Sequence, residues 1–403
     1  MTGRRPPHGP QAPRKPSTEL IDHPYRPPGG FESPQPAVYK ASTVFFPDTT
    51  ALRNRQWKDK SGYTYGLHGT PTTFTLEERI ATLEGGTDCL LVGSGLAAIA
   101  LVNASLLKGG DEVLLPANVY GPSRELAEHE LAQWGITHRL YDPMDVAAFE
   151  AMLSPATKLV WVEAPGSVTM EFPDLAGLLR TCRARGITTA LDNTWGAGLA
   201  FCGFDLDGQG LGADIVMQAL TKYPSGGGDV LMGSLVTRDR ALHLRLKMTH
   251  MRLGLHVAGN DTELVLRSLP TLPLRYAEQD RSARVLAQWL AARPEVAEVR
   301  HPALPGAPGH AQWASLCTQA AGLFSITFAA GITPARGRAF VDALRRFRIG
   351  YSWGGPVSLA VPYELKPRAG LPQGGHLVRL AIGLEDTEDL RADLEQALAV
   401  LAG

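Results

Sequence analysis

Apolar and polar positions along this chain follow two periods, and the switches between them mark out strands and helices. Cys89-Leu90-Leu91-Val92 is a short apolar run closed by Gly93-Ser94-Gly95, which predicts a strand and a turn. Leu96 to Leu107 then reads as a buried helix. Further strands are expected at Glu112 to Leu115, Lys158 to Glu163, Thr188 to Leu191 and Asp214 to Met217, with a helical pattern at Asp174 to Arg185. Strands that alternate with helices predict a mostly parallel sheet covered on both faces. Upstream, Thr75-Leu76-Glu77-Glu78 fits a capping box for a helix that stops at Gly85-Gly86.

The pattern changes after about residue 265. A long helical stretch precedes Pro294, strand-like pieces follow at Val296 to Val299, Gly322 to Phe328 and Leu377 to Ile382, and a final helix starts near Asp386. Leu390, Leu394, Leu398 and Leu401 form its apolar stripe. The expected division is an N-terminal arm over residues 1–66, a large α/β domain over 67–265 and a smaller α+β domain over 266–403. The first 36 or so residues are rich in Pro and Arg without periodicity, which predicts disorder or an extended arm. Thr43-Val44-Phe45-Phe46 is an aromatic extended piece with no core of its own, so the arm is expected to pack on a partner subunit.

Composition narrows the function classes. Of 403 residues, 44% are hydrophobic and 20% charged, as in an ordinary globular enzyme, and the net charge of −1 gives no pull toward nucleic acid or anionic membrane. Apolar runs such as Leu96 to Leu107 are too short to span a bilayer, and the Arg4-Arg5 pair is not followed by a signal-like apolar segment. Cys89, Cys182, Cys202 and Cys317 are scattered without a CxxC. They predict reduced thiols in a cytoplasmic protein and no metal site.

The candidate chemistry lies at strand ends. Lys222 follows the apolar run Ala213 to Leu220 and precedes the loop Tyr223-Pro224-Ser225-Gly226-Gly227-Gly228. An amine held among apolar residues loses part of its basicity and can then attack a carbonyl. Thirty residues earlier the strand Ile187 to Leu191 ends in Asp192-Asn193-Thr194-Trp195. Asp, about thirty residues, then Thr-Lys at a strand end is the spacing of pyridoxal phosphate (PLP) enzymes, where the Asp faces the pyridinium nitrogen and the Lys holds the aldehyde. Alone, each residue has an ordinary reading: a solvated loop lysine, a capping or ion-paired aspartate. Gly93-Ser94-Gly95 opens a helix whose free N–H groups suit a phosphate, although such βα turns are common. Tyr120 follows another strand end and could stack on a flat cofactor or simply line a rim. Arg379 sits inside the strand Leu377 to Ile382, so it is paired either with a substrate carboxylate or with an internal Asp or Glu.

From about Tyr63 onward the chain resembles the Cys/Met-metabolism PLP enzymes, the cystathionine γ-synthase-like group. The marks are Tyr65-Gly66 with Gly69-Thr70, Leu83-Glu84-Gly85-Gly86, Glu163-Ala164-Pro165-Gly166-Ser167, Asp192-Asn193-Thr194-Trp195, Thr221-Lys222-Tyr223, Tyr351-Ser352-Trp353-Gly354-Gly355 and Arg379-Leu380-Ala381-Ile382-Gly383. The Pro-Gly-Ser and Tyr-Ser-Trp-Gly-Gly segments favour its cystathionine β-lyase branch. The resemblance implies a PLP type I fold and α,β-elimination of L-cystathionine to homocysteine, pyruvate and ammonia, in methionine biosynthesis. It also implies a homotetramer built as a dimer of dimers with shared active sites. It makes Lys222 the Schiff-base lysine and general base, Asp192 the pyridinium partner, and Tyr120 the ring-stacking and catalytic tyrosine. It gives the phosphate to the Gly95 and Leu96 amides and Thr221, with Tyr65 reaching in from a neighbouring subunit. Tyr120, Ser352, Trp353 and Arg379 would line the substrate site.

Two departures stand out. Where the family often has Tyr-x-Arg this chain has Tyr65-Gly66-Leu67, leaving His68 as the nearby basic residue, and Ala219 stands where a serine is usual. The missing arginine keeps open a broader lyase acting on cystine or other S-conjugates. γ-Elimination or γ-replacement competes with β-elimination, and an inactive scaffolding relative would keep the same fold. Pro122 stands where methionine γ-lyases tend to carry a cysteine, and the retained Lys222 speaks for catalysis.

Overall fold

The computed structural model describes residues 30, 33–368 and 375–401. The disorder expected over the first residues therefore falls almost wholly outside the described residues. Helix α1 (Pro71–Glu84) starts one turn earlier than the sequence pattern suggests. Thr70 caps it, with a reciprocal Thr70–Thr73 box and Pro71 in the first turn, so the capping box expected at Thr75 is not the start. Thr75 instead donates to the Pro71 carbonyl at 2.7 Å inside the helix. Proline's fixed φ and missing N–H suit a first helical position, which is why the start moves there.

Strands β1 (Asp88–Val92), β2 (Glu112–Pro116), β3 (Thr137–Tyr141), β4 (Thr157–Glu163), β5 (Thr188–Asp192), β6 (Ile215–Ala219) and β7 (Gly233–Thr237) form one sheet in the order β1-β7-β6-β5-β4-β2-β3. Its centre, β6 to β3, is parallel, whereas β7 runs antiparallel to both β6 and β1. The segment from Leu220 to Met232 carries no helix, so the chain returns beside β6 without the helical crossover a parallel strand needs. Side chains alternate across the sheet. Leu91, Leu114, Val160, Val162, Leu191 and Val216 pack on one face, and Leu90, Val113, Leu159, Trp161, Ala190 and Ile215 on the other. Helix α2 (Gly95–Leu106) and helix α3 (Leu175–Ala184, capped by Asp174) fall where the sequence predicts them.

The smaller sheet joins β8 (Val296–Arg300), β9 (Leu323–Phe328), β10 (Arg348–Ile349), β11 (Leu359–Leu365) and β12 (Gly375–Ala381) in the order β10-β11-β12-β9-β8. Helix α4 (Leu272–Ala291) runs between the two cores. Its Leu272 and Tyr276 pack in the large core, and Ala283, Leu286, Ala287 and Leu290 in the small one. Helix α5 (Thr387–Leu398), capped by Asp386, buries Leu390, Leu394 and Leu398 in that core, with Leu401 beyond its end. Asp393 on the same helix accepts the N–H groups of Arg345, Arg346 and Phe347 at 2.6–3.2 Å. Removing that carboxylate takes the acceptor from three backbone donors, that of Phe347 buried, so Asp393→Ala is expected to cost about 2 kcal/mol, read as a lower urea midpoint.

Candidate active site

The carboxyl ends of β4, β5 and β6 lie side by side, and each ends in or next to an ionisable side chain. Such strand ends are where open α/β sheets bind ligands. Asp192 closes β5 in register with Glu163 on β4 and Met217 on β6. Lys222 follows β6 by one turn, its N–H bonded to the Ala219 carbonyl at 3.1 Å. Its ammonium donates to Ser352 Oγ at 2.8 Å and lies 5.5 Å from the centre of the Trp353 ring. Burial, then the nearby Arg379 charge, lower its pKa to about 8, against the opposing pull of Asp192. Asp192 and Lys222 thus sense each other across one site.

Ser352 holds a φ of +106°, which a side chain other than glycine rarely adopts. The next turn fixes it there: a Cβ on Gly354 would meet the Tyr223 nitrogen at 2.8 Å and the Lys222 carbonyl carbon at 3.1 Å. The Tyr-Ser-Trp-Gly-Gly segment is therefore pressed against the backbone of Lys222.

Two carboxyls share the floor of the site. Glu163 Oε2 accepts the Tyr120 N–H at 2.9 Å, and Ser167 also hydrogen-bonds to Glu163. Burial raises both carboxyls, and Glu163, which has no cation beside it, more strongly; hydrogen bonds from Thr194 and then the Lys222 charge pull Asp192 back down. Burial thus opposes ionisation of Glu163 more than that of Asp192. Sequence pattern does not assign Glu163 to the site. A Glu closing a predicted strand beside another acidic strand end becomes a signal only once the strand order is known.

The helix start behaves as a donor pair. Ser94 caps α2 by accepting the Ala97 N–H at 3.0 Å, and its carbonyl takes the Ala98 N–H. The N–H groups of Gly95 and Leu96 have no acceptor among the described residues. A Cβ on Gly95 would meet Ala219 Cβ at 2.8 Å, so this helix start can sit against the end of β6 only with glycine there. Thr221 is differently engaged. Its hydroxyl donates to the Met232 carbonyl at 3.2 Å and accepts the Met232 N–H at 3.1 Å, so its proton is spent within the protein.

Arg379 reaches the site from the other sheet. Val378 and Leu380 point into the small core, so alternation turns Arg379 the opposite way, toward the large domain. It is 6% exposed, donates to the Ser167 carbonyl at 3.0 Å and lies 5.3 Å from the centre of the Tyr363 ring. No Asp or Glu among the described residues pairs with it, so the internal salt bridge that the sequence allows is absent there. Tyr363, which no sequence pattern marks, covers the guanidinium.

Tyr120 is half-exposed and stands at the start of the short helix Gly121–Leu126, and its hydroxyl senses the charges of Asp192, Glu163 and Arg379. Tyr65 is not part of this group: 46% exposed, it contacts His68 edge-on at 6.2 Å. His68 does not replace the missing arginine. It bonds Thr64 at 2.9 Å and stacks on Trp57 at 4.9 Å, and burial with the Lys247 and Arg55 charges holds it neutral at pH 7.

This donor set suits one kind of ligand. Two free backbone N–H groups fit a phosphate, an ionisable buried carboxyl fits a protonated ring nitrogen, and a partly neutral amine fits an aldehyde. Pyridoxal phosphate carries all three groups.

Comparison with known proteins gives the same direction. Residues 17–399 match the family "Cys/Met metabolism PLP-dependent enzyme". The cystathionine beta-lyase of Bordetella avium is 40% identical over 94% of this chain and 96% of its own. The L-methionine gamma-lyase of Pseudomonas putida is 34% identical over 96% and 98%. The crystal structure of metB from Corynebacterium glutamicum superimposes with a TM-score of 0.83 at 29% identity, covering 96% of this chain and 98% of that one.

Proposed function

Because the chain belongs to the Cys/Met metabolism PLP-dependent enzymes, we propose that it is a cystathionine β-lyase, cleaving the Cβ–S bond of L-cystathionine to homocysteine, pyruvate and ammonia. It is a carbon–sulfur lyase with pyridoxal 5′-phosphate as cofactor, acting on a small amino acid. The observation that carries the finer reading is the contact of the Lys222 amine with Ser352, inside the Tyr-Ser-Trp-Gly-Gly segment that marks the β-lyase branch.

In this reading Lys222 holds the aldehyde, Asp192 the ring nitrogen, Tyr120 the ring face, and the Gly95 and Leu96 N–H groups the phosphate. Thr221, the residue before Lys222, shares the phosphate end, positioned by the hydrogen bonds of its N–H and hydroxyl with Met232. When bound, the cofactor supplies an electron sink for the pair left at Cα. Arg379, with four of its five N–H donors not engaged by the described residues, takes the substrate α-carboxylate and orients the Cα–H bond. Ser352 and Trp353 close the same wall. Lys222, once its amine is free, removes the Cα proton. It then returns a proton to the departing homocysteine sulfur, with Tyr120 beside it. The enamine released hydrolyses to pyruvate and ammonia.

Tyr65 completes a neighbouring subunit's site in a homotetramer; its exposed ring supports that role. No helix among the described residues is long and apolar enough to cross a membrane. The reading places the enzyme in the cytoplasm, in methionine biosynthesis.

Product analysis tests the bond assignment. With cystathionine and cystine side by side, the purified enzyme is expected to release pyruvate from both, with homocysteine from the first and faster turnover on it. 2-Oxobutyrate would mean Cγ–S cleavage and overturn the β-lyase reading. Preference for cystine would shift the substrate to the broader S-conjugate class.

A further inference from the structure

Close to Asp192 lies a third acid, buried beneath the strand ends. Glu84 is the last residue of α1 and is 1% exposed. Its two oxygens each accept from a primary amide: Asn193 Nδ2 to Oε2 at 2.8 Å and Gln218 Nε2 to Oε1 at 2.8 Å. Asn193 directly follows Asp192. Gln218 lies on β6 between Met217, the strand partner of Asp192, and Ala219, whose carbonyl holds the Lys222 N–H. One carboxyl therefore ties together the two strand ends that carry Asp192 and Lys222.

We propose that Glu84 is a positioning residue of the cofactor site, clamping the Asn193 and Gln218 amides so that Asp192 and Lys222 keep their mutual geometry. This rests on the reading of those two residues as the pair that holds the cofactor. Glu84 does this as a neutral acid. Asn193 Oδ1 and Gln218 Oε1 are both buried and unpaired, and they belong to the very amides that Glu84 contacts. A protonated carboxyl carries one O–H that an amide oxygen can accept; a carboxylate carries none.

The surroundings agree. The titratable groups facing Glu84 are Asp192 on β5, the Cys89 thiol on β1 and the Cys202 thiol, which donates to the Glu84 carbonyl at 3.6 Å. Arg238 binds the Gly85 and Phe204 carbonyls and not the carboxyl. No basic side chain among the described residues pairs with Glu84. Burial first, then the Asp192 charge, push it up to about 8 against the Asn193 hydrogen bond. A neutral Glu84 leaves Asp192 as the carboxylate that would face the cofactor's ring nitrogen.

The test uses the full chain with Glu84→Gln and Glu84→Ala, reading cofactor and not turnover. PLP is titrated into the cofactor-free proteins, and the visible band of the bound form is recorded. Glu84→Gln keeps the shape and neutrality and is expected to bind within about twofold of wild type. Glu84→Ala is expected to bind at least about tenfold more weakly and to shift the band. A second readout follows the sign of the ionisation. The folded protein holds a proton that the unfolded chain releases near the ordinary carboxyl value. Wild type should therefore lose thermal midpoint relative to Glu84→Gln as pH rises from about 5 to about 8, with no further change above. A gap independent of pH overturns the neutral clamp, even if Glu84→Ala does not fold. Glu84→Ala binding PLP like wild type overturns the inference alone. A wild-type protein that takes up no PLP overturns the site reading and the clamp with it.

Discussion

Lys222→Ala is expected to abolish turnover, by a factor on the order of 10³ or more, and to remove the absorption band of the enzyme-linked cofactor. The reason lies in the amine's surroundings. At a pKa of about 8, roughly a tenth of the amines are neutral at pH 7, compared with fewer than about one in a thousand for an ordinary lysine. Ser352 accepts a hydrogen bond from it and Trp353 covers it, so it is aimed as well as tuned. No other lysine among the residues of this site can take over. The absorption spectrum of the purified variant with added PLP is the deciding measurement. A band like that of wild type, with turnover retained, would remove Lys222 from the chemistry.

Arg379→Ala is expected to raise KM for amino-acid substrates by about a hundredfold or more, with PLP still bound. Losing one partner of a buried charge pair costs about 2–5 kcal/mol, the equivalent of roughly thirty- to several-thousandfold. Arg379 has no carboxylate of its own among the described residues, and its one backbone acceptor there is the Ser167 carbonyl. Burial lowers its pKa without removing its charge, since guanidinium stays protonated far above neutral pH. Arg379→Lys keeps the charge but loses the fork, and is expected to recover only part of the affinity. Steady-state kinetics with the spectrum taken on the same samples separates the outcomes. Unchanged KM removes Arg379 from the carboxylate site; loss of cofactor together with substrate affinity makes its role structural.

Much of this site can be read without coordinates, for a definite reason. Strand ends are local features, so apolar runs and the turn residues after them are enough to point to Asp192 and Lys222. The helix start at Gly95 and Leu96 is legible in the same way. What is not legible depends on strand order and on side-chain partners. Glu84 and Glu163 stand inside the Leu83-Glu84-Gly85-Gly86 and Glu163-Ala164-Pro165-Gly166-Ser167 marks, but nothing in the sequence pairs either with Asp192. Only the adjacency of β4 to β5, and the approach of α1 beneath β5 and β6, bring them to Asp192. Tyr363 carries no signal, because its contact with Arg379 joins neighbouring strands of the second sheet. His68 looks in sequence like a substitute cation, and burial with the Lys247 and Arg55 charges disfavours its protonated form.

The chain's own order of apolar runs, turns and strand-end polar residues determined the α/β architecture and set a lysine and an aspartate at neighbouring strand ends. Those properties follow from short-range periodicity and from backbone groups left open at element ends. Folding in space decided which acids burial makes harder to ionise, which way Arg379 turns and which hydroxyls already have partners. Charge and hydrogen-bond energies depend on distance and on exclusion of water, and neither exists until separate segments are packed together.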